Sequence, residues 1–341
     1  MASILGVAVV GAGRMGARHA EHLAAGGRSR LTWIVDPAAA AEPLARRLGA
    51  RWAADLATAL QGGGVDAVVI ATPSALHADG LRTAAAEGLA ILCEKPLAAD
   101  LGETRLLASL LERSGVYCQI GFMRRYDPAY AEARRAVAAG ELGSVRHALA
   151  ISRDPLPPPE AYLAGSGGIF LDLGIHDLDL LRWLLADDIV EVHAQGNVGD
   201  TAYIQAHDDL EEAQALLRFA GGATATLLLS RTSLYGYDVR AELWGTAGSL
   251  AVGYLREPAV TRLDAAGLHA RAVGGFLERF SAAYRHEIED FVARVLDGRP
   301  SPAPPVDALA AAAAAEACRR SQASGLPVAV GPGAAPDRRR P

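Results

Sequence analysis

The chain predicts an α/β protein in two parts. The first is a doubly wound parallel sheet over residues 1–123. The second, over 124–330, is an α+β domain with a large, open and mostly antiparallel sheet, and a disordered tail is expected at 331–341. Three observations carry this. Short apolar, β-branched runs alternate with helical patterns as far as Gly121, as parallel strands buried on both faces require. Beyond Arg124, strand-like runs follow one another with turn signals between them. The 341 residues, 51% hydrophobic and 21% charged, suffice for two cores.

Residues 4–10, ILGVAVV, read as a buried strand that feeds Gly11, Gly13 and Gly16 of GAGRMG, with a helix following to Ala25. Strand, GxGxxG and helix together make the dinucleotide-binding pattern of a Rossmann domain. Gly11 permits the tight turn, Gly13 lets the backbone approach a pyrophosphate, and Gly16 lets the helix pack on the strand. The helix N-terminus supplies N–H groups and partial positive charge for the phosphates. The next strand, LTWIVD, ends in Asp36. An acid there accepts hydrogen bonds from an adenosine ribose diol and repels a 2′-phosphate, which favours NAD over NADP. Its plainer role is a strand-end cap before Pro37.

The alternation continues with helices expected over 38–48 and 55–60, a strand over 66–71 and a helix over 74–87. A strand over 89–93, a helix over 101–114 and a strand over 116–121 complete the first part. Ligands of such sheets bind beyond the carboxyl ends of strands. Thr72-Pro73, Glu94-Lys95-Pro96 and Met123-Arg124-Arg125 fall at such ends. Lys95 precedes proline, so its backbone is extended or in a turn, and a cis bond to Pro96 would aim its side chain. The alternative is an exposed lysine at a strand end. His77 lines the cofactor cleft or sits on the surface early in its helix. His19 and His22 read as structural.

In the second part a helix is expected over 128–139, then a strand over 145–152 and a proline-rich loop, PLPPPEAY. The stretch 167–179, GGIFLDLGIHDLD, runs into LLRWLL and reads as one buried helix. Asp172, His176 and Asp179 recur at i, i+4, i+7, hence on one face. Polar groups on a buried helix are costly unless paired or employed, so the stripe is either a core histidine with its aspartate or a site. Strands are expected over 189–195, 212–219, 223–230, 238–244 and 249–252, with a hairpin at Gly221-Gly222. One sheet face would be covered by helices and the other left free for a partner. Helices over 276–296 and 306–324 close the chain, the last of them able to pack back on the first domain.

Net charge is −6, giving no electrostatic reason to expect nucleic acid or an anionic membrane. Three scattered cysteines suit neither a disulfide framework nor a zinc cluster, and fit a reduced cytoplasm. Neither a signal peptide nor a transmembrane helix is expected, and Asp172, His176 and Asp179 are not expected to bind a metal.

With GAGRMG, EKP, GFMRRYDPAY and GGIFLDLGIHDLD in order, the chain resembles the Gfo/Idh/MocA oxidoreductases over nearly its whole length. Within that family it looks most like the inositol dehydrogenases. The resemblance implies a catalytic trio of Lys95, Asp172 and His176. It implies NAD on Gly11, Gly13, Arg14, Met15, Gly16 and Asp36, with Thr72, Pro73, Glu94 and Lys95 near the nicotinamide ribose. The implied substrate contacts are Lys95, Met123, Asp154, Asp172, His176 and Tyr235, with Arg124 close by. The implied reaction oxidises a ring hydroxyl of a cyclic polyol, with myo-inositol first. The implied assembly is a homo-oligomer, a tetramer or a dimer. His176 has the ordinary pKa of a general base, and Lys95 can stabilise negative charge on the reacting oxygen. Another inositol isomer, a sugar or an aminocyclitol is the alternative substrate, and a non-catalytic NAD(P)-binding sensor is the alternative class. Asp179 is read as structural support, and Gly174 as a point of close approach for substrate or backbone.

Overall fold

The computed structural model describes residues 3–253, 261–265, 267–270 and 273–331. The chain divides into two compact units. One takes the chain up to Met123 together with Ala282–Leu309, and the other takes Arg124–Ser281 and the chain from Ala310 onward.

The first unit alternates β1 (Leu5–Val10), α1 (Arg14–Ala25), β2 (Ser29–Val35), α2 (Glu42–Arg47), β3 (Arg51–Ala53), α3 (Leu56–Gln61), β4 (Ala67–Ile70), α4 (His77–Ala86), β5 (Ala90–Cys93), α5 (Leu101–Ser114) and β6 (Cys118–Ile120). Every pairing is parallel, in the order β3-β2-β1-β4-β5-β6, so the expected doubly wound sheet is present. Val7, Ala8 and Val9 on β1 and Val68, Val69 and Ile70 on β4 are fully buried, because helices cover both faces. Asp55 and Asp100 cap α3 and α5 by accepting from Thr58 N at 2.8 Å and Glu103 N at 2.9 Å. The strand order reverses between β1 and β4, which opens a crevice beyond their carboxyl ends. The helix expected over 38–48 is divided into a 3₁₀ turn, Ala39–Ala41, and α2, with Pro43 in the first turn of α2. Three-residue β3 is too short to show a sequence period.

A helix late in the chain, Ser281–Asp297, completes this unit. Its Ile288, Phe291 and Val292 lie in one core with Leu5, Val7, Val9 and Leu92. The second domain expected over 124–330, with its last helix able to pack back on the first, is thus interrupted earlier, by the segment Ala282–Leu309. Periodicity shows that the helix has an apolar face but not which core receives it.

Glu287 on this helix is fully buried, and neither carboxyl oxygen has a hydrogen-bond partner among the described residues. Burial, and then the negative charge of Glu94, push its pKa well above the ordinary 4.5. The folded protein thus keeps a proton that the unfolded chain releases above about pH 4.5. Stability contributed by this group is fully present at acid pH and is lost as pH rises towards the folded pKa. Glu287→Gln should accordingly gain on the parent by at most ~1.4 kcal/mol per pH unit above about pH 5. Urea unfolding at several pH values measures this, and a difference flat with pH would mean that Glu287 is ionised when folded.

The second unit contains α6 (Pro128–Ala138), β7 (Val145–Arg153), α7 (Glu160–Leu163), α8 (Ile169–Asp172), α9 (Ile175–Leu185), β8 (Ile189–Asn197), α10 (Ala202–Ala206), β9 (Glu212–Phe219), β10 (Thr224–Ser230), β11 (Asp238–Gly245), β12 (Ser249–Val252), β13 (Thr261–Asp264), β14 (Gly267–Ala270) and α11 (Phe276–Arg279). The returning helix is α12, followed by α13 (Pro305–Ser324) and β15 (Val328–Ala329). The main sheet runs β12-β11-β7-β10-β9-β8-β15, and β13 and β14 form a separate hairpin. Only the β10–β7 pairing in the main sheet is parallel, so the sheet is mostly antiparallel as expected. Ala213, Ala215, Leu217 and Phe219 of β9 are buried, while Glu212, Gln214, Leu216 and Arg218 between them are exposed. Ala225, Leu227 and Leu229 of β10 extend the buried face through their partners on β9. The Gly221-Gly222 turn forms as expected, with Gly222 at φ +95° and its N–H donating to Phe219 O at 3.0 Å.

The helix expected over 276–296 breaks at Phe280, which is fully buried with its ring 5.7 Å from the Arg124 guanidinium and 4.5 Å from that of Arg279. Of the tail expected at 331–341, all but Gly331 lies outside the described residues. Among the described residues no helix is long and apolar enough to cross a membrane.

Candidate active site

In the first unit the crevice is built at the ends of β1 and β4. Gly11 lies at φ +94°, and a Cβ there would stand 2.7 Å from Ala71 O and 2.8 Å from Thr72 N. Only glycine fits where this turn presses on the end of β4. A Cβ on Gly16 would stand 1.8 Å from Gly11 O, so α1 lies directly on its own entry turn. Gly13 differs, since nothing lies within 4 Å of its absent Cβ. It is the N-cap of α1, with no side-chain cap and no acid in the first turn. The first N–H groups of an α-helix point out of its N-terminus and give that end partial positive charge, so this end, with no acid in its first turn, is suited to phosphate.

Asp36 is half-buried directly after β2. Its Oδ2 accepts from Ala12 N at 2.8 Å, and its Oδ1 accepts from Ala38 N at 2.9 Å. The strand-end cap and the approach to the glycine loop are thus both present, and each oxygen keeps acceptor capacity. Thr72 Oγ1 is buried with no hydrogen-bond partner among the described residues, a hydroxyl left for a ligand or water to satisfy. The glycine turn, open helix end, acid and orphaned hydroxyl fit a dinucleotide.

At the end of β5, Glu94 and Lys95 are half-buried and the Lys95–Pro96 bond is cis. Glu94 Oε1 lies 2.7 Å from His19 Nε2, and the buried His19 ring stands edge-on to Tyr284 at 6.1 Å. Burial pushes the Glu94 pKa up, but His19, Lys95 and His77 outweigh it and hold the carboxyl below its ordinary range. His19 is structural as expected, and its task is to hold Glu94. His77 neither lines the cleft nor sits on the surface. It is buried, with Nε2 2.9 Å from Thr72 O and Nδ1 2.9 Å from Pro96 O, so it ties the loops after β4 and β5 together. Burial keeps its pKa low.

In the second unit the single helix expected over 167–185 is two helices, α8 and α9, broken at Leu173-Gly174. A Cβ on Gly174 would stand 2.9 Å from both Phe170 O and Leu229 Cδ1. The close approach expected at this glycine is made by the protein's own backbone and core. The stripe of Asp172, His176 and Asp179 therefore does not lie on one continuous helix. Along α9, Asp177, Asp179 and Arg182 are buried, whereas His176 is only half-buried.

The buried charges are paired. Arg124 donates to Asp177 at 2.5 Å and to Ser152 Oγ at 3.0 Å, and Arg125 makes a two-pronged pair with Asp179. Asp179 is support, as read from the sequence. Arg124 is buried in a pair of the same kind. Its own burial would weaken its basicity, but Asp177 and neighbouring groups more than compensate, so it stays cationic.

Asp172 is held on both oxygens. Tyr162 donates to Oδ1 at 2.8 Å, and Arg231 donates to Oδ2 at 3.1 Å. The parallel strands β7 and β10 end at the same edge of the sheet. There the half-buried Asp154 donates its N–H to Ser230 O at 2.9 Å and accepts from Ser233 N at 2.7 Å. The loop after β7, the start of the loop after β10, and α8 thus bring Asp154, Arg231 and Asp172 to one end of the unit. Tyr235, half exposed, donates to Asp238 Oδ2 at 2.5 Å and accepts from Arg153 at 3.0 Å. Met123, the last residue of the first unit, is buried. Sequence reasoning passed over Tyr162, Asp177, Asp209 and Arg231. For Arg231 the available signal was a single charge directly after the apolar run LLLS.

Two family models match the chain. Residues 5–122 match the oxidoreductase family with an NAD-binding Rossmann fold, and 130–251 match the GFO/IDH/MocA C-terminal domain. The scyllo-inositol 2-dehydrogenase (NAD(+)) of Bacillus subtilis is 38% identical over 324 residues, covering 94% of this chain and 95% of that one. Myo-inositol dehydrogenase Hyg17 of Streptomyces leeuwenhoekii is 37% identical over 329 residues, covering 95% and 99%. The crystal structure of a myo-inositol dehydrogenase from Corynebacterium glutamicum superposes with a TM-score of 0.92 at 35% identity, over 96% of this chain and 99% of that one. A match to both domain models, with identity spread over the full length of such relatives, leaves one assignment: the chain belongs to the GFO/IDH/MocA family, as an NAD-dependent oxidoreductase.

Proposed function

We propose that the protein oxidises a ring secondary hydroxyl of an inositol, with myo-inositol giving 2-keto-myo-inositol (scyllo-inosose) as the first candidate. The likeness along the whole chain to two inositol dehydrogenases carries this reading, because specificity for a ring of hydroxyls is built by many polar contacts and not by the catalytic groups alone. NAD, when bound, supplies the hydride acceptor. Gly11, Gly13, Arg14, Met15 and Gly16 receive its pyrophosphate and Asp36 its adenosine ribose, while Thr72, Pro73 and Glu94 meet its nicotinamide ribose. His176 takes the hydroxyl proton, and Lys95 donates to the same oxygen as negative charge develops on it. Asp172 orients or compensates the imidazolium, or accepts from a substrate hydroxyl. Met123, Asp154 and Tyr235 complete the substrate contacts. The free face of the main sheet carries assembly into a homo-oligomer, a tetramer or a dimer.

The two named relatives differ in isomer. Myo- and scyllo-inositol differ only in configuration at the reacting carbon, so either would give the same ketone. Initial rates of NADH formation with myo-, scyllo- and chiro-inositol, glucose and an aminocyclitol separate the readings, and NADP in place of NAD tests Asp36. The expected result is turnover of an inositol with NAD preferred. Turnover confined to the sugar or the aminocyclitol would replace the substrate, and tight NAD binding without turnover of any of them would favour a sensor.

A further inference from the structure

We propose that Arg231 is a positioning residue. Its buried guanidinium, anchored on Asp209, sets the carboxylate of Asp172, and Tyr162 clamps that carboxylate from the other oxygen. The inference rests on the reading of Asp172 as a member of the catalytic trio.

Arg231 follows β10 directly and is 1% exposed. Its backbone is fixed as well, because its N–H donates to Glu211 O at 2.8 Å. A guanidinium removed from water requires opposite charge, and this one has two carboxylates. It donates to Asp172 Oδ2 at 3.1 Å and to Asp209 Oδ2 at 2.9 Å. Asp209 Oδ1 accepts in turn from Ile169 N at 2.8 Å, at the first residue of α8. Asp172 is the last residue of that same helix. The arrangement closes on itself: Arg231 holds both ends of one helical turn, directly at Asp172 and through Asp209 at Ile169. Gly168 enters α8 at φ +83°, where a Cβ would stand 3.3 Å from Asp209 Oδ1, so the entry is shaped around that carboxylate.

One guanidinium thus serves two carboxylates. Asp209 is the more buried of the two, its side chain 7% exposed against 12% for Asp172. Tyr162, half exposed on α7, donates to the other oxygen of Asp172. Each Asp172 oxygen thus has a protein donor that fixes the plane and direction of the carboxylate. The planar fork of arginine fixes a direction that a lysine point charge does not, so the charge-conserving substitution is informative.

The test uses the full-length enzyme with myo-inositol and NAD. Tyr162→Phe should lower kcat about tenfold, as the loss of one hydrogen bond to a charged acceptor implies. Arg231→Lys should lower kcat by about tenfold to a hundredfold, with the KM for NAD unchanged in both variants. In an Asp172→Asn background Tyr162→Phe should add little, because the two act through one group. Equal losses in both backgrounds, or full turnover in both single variants, would overturn the proposal. If Arg231→Lys does not fold, the half-exposed Tyr162 carries the test alone. Full turnover of Asp172→Asn is a different failure: it would remove Asp172 from the trio and leave Arg231 a structural strut.

Discussion

His176→Ala is expected to lower kcat by about 10²–10⁴, the usual contribution of a general base, while NAD still binds. The reason for the separation is local. His176 belongs to the second unit, whereas the glycine turn, the open end of α1, Asp36 and Thr72 all belong to the first. Lys95→Met should cost about 10²–10³ through lost stabilisation of the reacting oxygen. Its backbone neighbours, the Thr72–His77–Pro96 ties, do not depend on the ammonium group. Steady-state kinetics with myo-inositol, alongside NAD titration by fluorescence, distinguish lost chemistry from lost binding. Near-normal turnover of His176→Ala would require another base. Near-normal turnover of Lys95→Met would mean that the lysine at the end of β5 is an ordinary strand-end residue.

Arg124→Met is expected to destabilise the second unit by about 3–5 kcal/mol, because it leaves a buried carboxylate without its counter-charge. Arg124 is 2% exposed and Asp177 is 1% exposed. The guanidinium also reaches Ser152 on β7 and lies near the Phe280 ring, so one side chain links the segment after β6 to α9, β7 and the break between α11 and α12. Replacing both partners, with Arg124→Met and Asp177→Leu together, should restore much of the loss, since a well-packed apolar pair avoids burying charge at all. Urea unfolding of the two single variants and the double variant measures this. Single and double variants equally unstable would show that packing around Arg124, and not its charge, is what the unit needs.

The first unit was largely legible along the chain. A buried parallel strand is apolar throughout, so β1, β4 and β5 announce themselves, and GAGRMG locates the turn between β1 and α1 without further help. The helices over 55–60 and 101–114 were expected at their places, and Asp55 and Asp100 cap them. What escaped was whatever depends on distant partners. His77 looked like a cleft or surface residue because nothing near it in sequence shows that Thr72 O and Pro96 O enclose it. Nothing near Glu287 in sequence shows that it is buried, its carboxyl oxygens without a hydrogen-bond partner among the described residues. In the second unit the strands of the main sheet followed from alternation and turns. The helix break at Gly174 did not, and the close packing of that glycine on Leu229, from another element, is equally invisible along the chain.

The sequence alone therefore determined the order and type of most elements and the glycine loop with its acid, since each depends on residue type and short-range spacing, while Lys95, Asp172 and His176 entered as candidates through the motifs of the family resemblance. Tertiary structure alone decided how the charges on and around α9 are used. Asp172, Asp177 and Asp179 stand within a few residues of one another and are chemically alike, and their difference lies in which arginine the fold delivers to each. Arg124 and Arg125 are brought to Asp177 and Asp179 from the start of the unit, and both pairs are buried. Arg231 is brought to Asp172 from the end of β10, and that pair keeps a more open side. Pairing of charges over such separations is governed by desolvation inside a packed unit, and that is a property of the folded chain and not of its local spacing.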